Sequence, residues 1–493
     1  VISTINTNDL KYLFQPRSIA IIGASQDESK SGGMFLSSLL QDGYKGIIYP
    51  INRKESEIMS LKAYPSVLDV PGDVDLAVTA IPARSVPQVM AECARKGVRF
   101  AVVHSAGFSE LGAAGKELEQ QMLEAARAGG IRVVGPNCMG IVSPRVNINT
   151  IAPYTRLPME TGGVSFVGQS GWACEIMLRL GSERGLRFSG VISIGNQSDL
   201  SIEDFLEYFG NDTETRVIAF YIEGIKQANR FFKLAEEISP KKPIIVWKGG
   251  SSDFGARAAA SHTGSIAGNY ALFEAISRQK GIINAQSLEE LMDMAVAFSC
   301  PCLPKGNEVG LLIGAGGGAV ASSDGCARAG LNVSPLPQDA QQRLREFLKD
   351  KIPPSPNLTN PVDLVWTPFD ETTLIYTTCL EIMADVVDSC LMICYAHIND
   401  EWFLTRLQSI RDQVKKPIIV VPGNPIDQRE GMASATKLGI PAFAMPDNAV
   451  KALAALTRRA EYLKSLDQPL CEASITVTPL PLEGPSTIPS LGQ

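Results

Sequence analysis

The sequence predicts an α/β protein built from three successive Rossmann-like or flavodoxin-like, doubly wound parallel-sheet units. Short β-branched runs alternate with small-residue turns and helical stretches along most of the chain. The alternation breaks and restarts twice. A length of 493 residues also exceeds what one core ordinarily holds, so two to four domains are expected.

In the first unit, strands are expected at Ser18–Gly23, Gly46–Pro50, Leu76–Ile81, Phe100–His104 and Ile131–Gly135. Helical stretches such as Ser85–Lys96 and Gly115–Ala128 separate several of them. Right-handed crossovers then place helices on both faces and a ligand at the carboxyl ends of the strands. After the irregular stretch Asn147–Thr161 the pattern restarts at Gly163–Gly168. It continues with strands at Phe188–Ile194, Val217–Ile222, Pro243–Trp247 and Gly281–Asn284. It restarts again at Glu308–Ile313, followed by Ser389–Tyr395, Pro417–Val421 and Pro441–Ala444. The expected boundaries are 1–150, 151–302 and 303–468, and the Pro-rich stretch 469–493 reads as a tail or linker.

Composition narrows the function. Apolar residues make up 45% and charged residues 20%, as in an ordinary globular protein. A net charge of -7 argues against a general nucleic-acid surface. Apolar runs such as Pro243–Trp247 are far too short to span a membrane, and Val1–Asn6 lacks the basic and apolar regions of a secretory signal. Ten scattered cysteines read as reduced thiols of a cytoplasmic protein. Cys300-Pro-Cys302 is too tight for a zinc knuckle and has no second pair beside it, so no metal site is expected.

Several turns carry chemistry. Gly23-Ala24-Ser25 follows the first strand where a dinucleotide fold cradles phosphates, although the full G-x-G-x-x-G fingerprint is absent. Arg53 and Lys54 end the second strand where an NAD enzyme places an acid. They suit a ribose phosphate, as in NADP or coenzyme A, or are simply solvated turn charges. Gly135-Pro-Asn137-Cys138-Met-Gly140 shapes a turn toward the same crevice. His104 reads as a packed strand-end residue. Ser170 and Gly171 sit at a strand-to-helix turn whose free N–H groups form an anion site. The turn is close in kind to a hydrolase elbow, but its spacing is one residue short and no Ser-Asp-His order follows. Asn196 lies among small polar groups at the end of another strand. Glu223 ends a strongly apolar strand, where a buried carboxylate needs a partner and a solvent-facing one does not.

His262 is one of only three histidines, and it lies in Ala258-Ala-Ala-Ser-His-Thr-Gly-Ser-Ile-Ala-Gly268. Small neighbours would let a phosphate approach closely. A neutral imidazole near a helix N-terminus is a competent nucleophile toward phosphorus; a packed loop histidine is the plainer alternative.

The pattern resembles the nucleoside-diphosphate-forming acyl-CoA synthetases, relatives of the succinyl-CoA synthetase α subunit and especially the ADP-forming acetyl-CoA synthetases. The resemblance rests on Leu13–Ser25, Tyr49–Asn52, Gly135–Cys138, Gln169–Gly171, Tyr221–Gly224 and Ser261-His-Thr-Gly264. Gly314–Gly318 and Asn360–Leu364 extend it into the third unit. It covers about residues 9 to 465. The resemblance implies that His262 is the phosphorylated nucleophile and Glu223 its hydrogen-bonding partner. It implies that Gly23, Ala24, Ser25 and Lys54 bind the nucleotide end of CoA, and that Asn137 and Cys138 lie by the thiol. Ser170, Gly171 and Asn196 would then serve phosphate or substrate. The reaction implied is carboxylic acid + ATP + CoA ⇌ acyl-CoA + ADP + phosphate, through an acyl phosphate and a phosphohistidine, in an oligomeric enzyme. ATP, ADP and Mg2+ would be held by an ATP-grasp module, as a separate subunit or a fused domain, because the 493 residues contain none. Trp172 stands where the family often has a small residue, and the resemblance implies an altered acyl pocket there.

Two other classes share part of the pattern. An NADP-dependent oxidoreductase accounts for the first unit and the basic strand end but leaves Ser261–Gly264 without a role; a nicotinamide fluorescence titration separates the two. A CoA-binding regulatory or acetyltransferase-fusion module needs neither His262 nor Glu223.

Overall fold

The computed structural model describes residues 7–153, 156–255, 257, 269–314, 316–353, 357–426 and 428–467. His262 and its loop lie outside them. The first sheet contains β1 (Ser18–Ile22), β2 (Ile47–Ile51), β5 (Leu76–Thr79), β6 (Phe100–Val103) and β7 (Arg132–Val134). A small hairpin, β3 (Glu57–Ile58) and β4 (Leu61–Lys62), follows β2. The second sheet contains β8 (Gly140–Ser143), β9 (Ile148–Asn149), β10 (Val164–Gly168), β11 (Phe188–Ser193), β12 (Val217–Ile222), β13 (Ile244–Lys248) and β14 (Ile282–Ala285). The third contains β15 (Val309–Ile313), β16 (Val362–Asp363), β17 (Ser389–Cys394) and β18 (Ile418–Pro422).

The first sheet, ordered β2-β1-β5-β6-β7, is entirely parallel. So is the third, ordered β16-β15-β17-β18. Helices cover the strands, and β1, β10 and β15 are buried along their whole length, which explains why they read as unbroken apolar runs. The second sheet, β14-β13-β12-β10-β11-β8-β9, is parallel except at one edge, where β8 pairs antiparallel with β11 and β9 with β8.

Two local differences from expectation have physical causes. β8 and β9 join the second sheet although they lie before residue 150; they are too short to show a period. Pro441–Ala444 is reduced to an isolated bridge between Val420 and Ala442. Pro441 has no N–H to give and Pro446 already starts a helix, so only two ladder bonds form. The glycines at 316–318 begin the helix Gly316–Arg328.

The sheets share cores. Ile19, Phe100 and Val134 of the first sheet belong to the same buried cluster as Val167, Ile192 and Phe220 of the second. Phe14 locks that junction, stacked 5.0 Å from Tyr208 and edge-on to Phe205 and Phe209. Phe14→Ala should cost about 3–5 kcal/mol, as for other buried aromatic truncations, and lower the midpoint of urea unfolding. The helices Leu288–Ala297 and Pro446–Leu466 join the second and third sheets in another shared cluster.

Strand order locates the crevices. In the first sheet β1 connects outward to β2 and the chain then crosses to β5 on the other side, so the order reverses between β1 and β5. In the second sheet it reverses between β10 and β12. Ligands of open α/β sheets bind at the carboxyl ends beside such points. Gly23 follows β1; Ser170 and Glu223 follow β10 and β12.

Candidate active site

At the first reversal the backbone is drawn in tightly. Gly23 has φ +91°, and a Cβ on Gly32, in the helix Ser31–Gln41, would lie 2.0 Å from the Gly23 carbonyl oxygen. Only a residue without a side chain lets that helix pack against the turn. Beside the turn is a cleft of about 340 Å3 lined by Gly23, Asn52, Arg53, Lys54, Ile81 and Pro82. That is large enough for part of a nucleotide. Arg53 and Lys54 are exposed at its edge, and Ser25 is half-buried. Asn52 joins the two loops: its Nδ2 donates to the Ala24 carbonyl at 2.8 Å, and its Oδ1 accepts from the Lys54 N–H at 2.8 Å.

Ala24, expected at the nucleotide end of CoA, is packed within the fold. Its side chain is 1% exposed in the core, and its N–H, with that of Gly23, donates to the Ile51 carbonyl. Those two donors are engaged within the fold, which leaves Asn52, Arg53, Lys54, Ser85 and Glu92 as the polar residues lining the cleft, while Ser25 Oγ accepts from the Asp27 N–H at 3.0 Å.

The second reversal carries a denser arrangement. Ser170 caps the helix Gly171–Glu183, its Oγ accepting from the Ala173 N–H at 3.4 Å. The N–H groups of Gly171 and Trp172 have no intrahelical acceptor and, with the helix dipole, favour an anion there. A Cβ on Gly171 would meet Met139 Cγ at 2.5 Å, so the Asn137–Met139 turn touches this helix end. Met139 N–H also donates to Ser193 Oγ at 3.1 Å. The first unit's turn is thereby brought to the start of the second unit's helix Gly171–Glu183.

Glu223 is 6% exposed at the end of β12. Tyr221 donates its hydroxyl to Glu223 Oε1 at 3.1 Å. Burial raises the Tyr221 pKa, so the phenol remains a donor, and its ring packs 4.5 Å from that of Trp247. Glu223 Oε2 is buried and has no hydrogen-bond partner among the described residues. An ionised oxygen in that position requires a donor.

Three residues absent from the expected site hold Glu223 in place. Gln169 Oε1 accepts from the N–H groups of Glu223 and Gly224, and its Nε2 donates to the Gly224 carbonyl at 2.6 Å. Lys248, 6% exposed, donates to the carbonyl oxygens of Glu223 at 2.8 Å and Gly249 at 2.7 Å. Burial lowers the Lys248 pKa, while the Glu223 charge opposes that shift. Tyr221 completes the set. The sequence signal for Gln169 was its place before Ser170; Lys248 gave none beyond a cation ending an apolar strand.

Cys138 and Asn196 are both engaged within the fold. The Cys138 side chain is 3% exposed, with Sγ directed at the Val103 carbonyl, and burial pushes its pKa up to about 12. It packs in the core, whereas Asn137 beside it is half-buried and held at φ +57°. Asn196 Nδ2 donates to Glu110 Oε2 at 2.6 Å and also lies 3.2 Å from Glu119 Oε2. Its Oδ1 accepts from Asn137 Nδ2 at 3.4 Å. Burial opposes the Glu110 charge, but bonds from the Gly107 N–H and Asn196 outweigh it and lower the pKa. Through these bonds Asn196 ties the first two units together. His104 donates Nδ1–H to the Cys138 carbonyl at 2.8 Å and packs edge-on against Phe35, as a structural strand-end residue does.

A contrasting thiol lies away from this crevice. The Cys300 thiol holds Cys302 down to about 7, with Arg411 and Lys415 adding to the effect against burial. Alkylation should therefore mark Cys302 and spare Cys138, with a Cys302 rate that climbs as pH rises through about 7. Peptide mass spectrometry checks this; equal labelling of Cys138 would contradict its placement. Among the described residues no group of three or more His, Cys, Asp or Glu side chains is arranged to hold a metal. No helix among them is long and apolar enough to cross a membrane.

Comparison with known proteins places this geometry. A CoA binding domain model matches residues 17–144, and a succinyl-CoA ligase like flavodoxin domain model matches residues 161–298. The chain is 36% identical over 461 residues to the α subunit of ADP-forming acetate–CoA ligase II of Pyrococcus furiosus, covering 92% of this chain and 98% of that one. It is 38% identical over 453 residues to an ADP-forming acetate–CoA ligase of Methanocaldococcus jannaschii, of which it spans 63%. The structure of Ca. Korarchaeum cryptofilum dinucleotide forming acetyl-coenzyme A synthetase 1, in complex with phosphate and ADP, superposes with a TM-score of 0.83. That match covers 94% of this chain and 99% of the other at 34% identity. The chain belongs to the family of the ADP-forming acetate–CoA ligase α subunits.

Proposed function

We propose that this chain is the CoA- and phosphate-handling part of an ADP-forming acyl-CoA synthetase, catalysing carboxylic acid + ATP + CoA ⇌ acyl-CoA + ADP + phosphate. One observation carries the reading: the buried Glu223 Oε2, without a hydrogen-bond partner among the described residues, beside the Ser170 helix end at the strand reversal. A carboxylate oxygen so placed suits an imidazole N–H, and His262 supplies one in this reading. The nucleotide end of CoA lies at the cleft of Gly23, Ser25 and Lys54, and its thiol reaches the Asn137 turn.

In the acyl-CoA to acid direction, phosphate at the Gly171 and Trp172 N–H groups attacks the thioester carbonyl. The C–S bond breaks, CoA leaves as thiolate, and an acyl phosphate forms. His262 then attacks phosphorus, the P–O bond to the acyl group breaks, and the carboxylate departs. Glu223 holds the ring N–H and compensates the positive phosphohistidine. Conserving the group as a phosphoramidate retains energy that hydrolysis would release as heat. Catalysis here is mainly positioning and anion stabilisation.

The phosphoryl group passes to ADP on an ATP-grasp partner, which also holds Mg2+. A separate subunit suits the two-subunit naming of the Pyrococcus relative, and a fused segment suits the longer Methanocaldococcus chain. The partner is unnecessary for the first half-reaction. Incubation of this chain with acetyl-CoA and radiolabelled phosphate should release free thiol and label the protein in an acid-labile, alkali-stable form. CoA binding without labelling across small aliphatic and aryl acyl-CoA esters would instead favour the regulatory-module reading.

A further inference from the structure

The opposite end of the second sheet holds a second charged cavity. It measures about 380 Å3 and lies between the first residues of β10 and β12, Val164 and Val217, and the third unit's Thr436–Gly439. Ser170 and Glu223 follow the other ends of those strands, five and six residues long, so the two sites are roughly 15–20 Å apart. Arg187, Arg216, Arg411 and Lys437 line the cavity, and Glu160 is the one lining carboxylate. A surplus of three positive charges in one cavity contrasts with a chain whose net charge is -7.

The cations are placed by the fold. A Cβ on Gly163 would lie 2.4 Å from Arg216 Nε, so the Arg216 side chain crosses the strand entrance only because residue 163 has no side chain. Among the described residues Arg216 has no ion-pair partner. Arg187 donates to Glu160 at 2.8 Å, and Arg411, 4% exposed, bonds Asp412 and the Leu438 carbonyl. Lys437 is exposed and acts on Glu160 only through space. Phe298, Pro301 and Leu438 add apolar wall.

We propose that this cavity binds a phosphorylated metabolite carrying at least two negative charges, and that the bound anion ties the second and third units together away from the reaction crevice. Guanidinium groups match phosphate oxygens in geometry, and a shared anion relieves the mutual repulsion of converging cations. Binding energy realised across the seam would stiffen it, which makes the site suited to an effector of the synthetase. The inference stands whether or not His262 is the phosphoryl carrier.

Inorganic pyrophosphate is the probe, titrated calorimetrically into the full chain. Wild type should bind it saturably, and the double variant R216Q/K437Q should weaken that binding about tenfold or more. CoA binding, measured in parallel, should be unchanged and reports an intact fold, since both substituted side chains are exposed. Absence of pyrophosphate binding to wild type overturns the proposal. So does binding unchanged in the double variant, which would assign the anion to the Ser170 helix end. A Ser170→Pro variant, in which the crevice cap is lost, should retain the R216-dependent binding.

Discussion

Replacing His262 by Ala yields a chain that binds CoA as wild type does and accepts no phosphoryl group from acetyl-CoA and phosphate. With the ATP-grasp partner supplied, acyl-CoA synthesis should fall by at least about 10⁴-fold, the scale on which removal of a covalent nucleophile acts. The separation of the two readouts follows from geometry. The cleft proposed for CoA is built at the β1–β5 reversal from Gly23, Asn52 and Lys54, on a different sheet from Glu223. Thiol release should survive in part, because attack of phosphate on the thioester precedes the histidine step; acyl phosphate would then accumulate and be trapped by hydroxylamine. Acid-labile phosphorylation retained by H262A would exclude His262 as the carrier. Loss of CoA affinity in the variant would show instead that the histidine loop supports the cleft.

The sheets were legible because parallel strands buried on both faces must be continuous apolar runs. Val217–Ile222 matches expectation residue for residue, and Ser18–Gly23 and Phe188–Ile194 overrun by one residue at the carboxyl end. β8 and β16, four and two residues long, carry too little pattern to be seen, and their pairing is decided by distant partners. Among site residues, Ser170 was legible because a capping hydroxyl before an apolar helix is a local signal. Glu223 was legible as a carboxylate at an apolar strand end, but its burial was not. Gln169 and Lys248 escaped because they act on the Glu223 backbone across 54 and 25 residues of sequence. Ala24 and Cys138 were read from motifs that mark a turn, and a turn motif does not say which of its side chains enter the core. The carboxylate partners of Asn196 were not legible for a related reason: Glu110 and Glu119 lie 86 and 77 residues away.

Glu223→Gln should slow phosphoenzyme formation by about 10- to 100-fold, the usual cost of losing a carboxylate that orients a reacting histidine, and leave the CoA dissociation constant within about twofold. The side chain is nearly isosteric, and Gln169 and Lys248 grip residue 223 through its N–H and carbonyl, so the backbone position is retained. The polarity of the tip is what changes. In the wild type Oε1 accepts from Tyr221 and Oε2 has no partner among the described residues, so both oxygens are acceptors. A carboxamide offers one acceptor and one NH2. If its oxygen serves Tyr221, the NH2 occupies the Oε2 position and meets a ring N–H donor to donor. If its oxygen turns to the ring, the Tyr221 hydroxyl loses its acceptor inside a packed aromatic pair. Either arrangement loses the negative charge that offsets a phosphorylated, positive imidazole. Tyr221→Phe provides the discriminating control: it removes one bond to Oε1 and retains the charge, so its effect should be less than about tenfold. Equal defects in E223Q and Y221F would mean that packing at the end of β12 matters more than the carboxylate. Unchanged phosphorylation in E223Q would break the assignment of Glu223 as the histidine's partner.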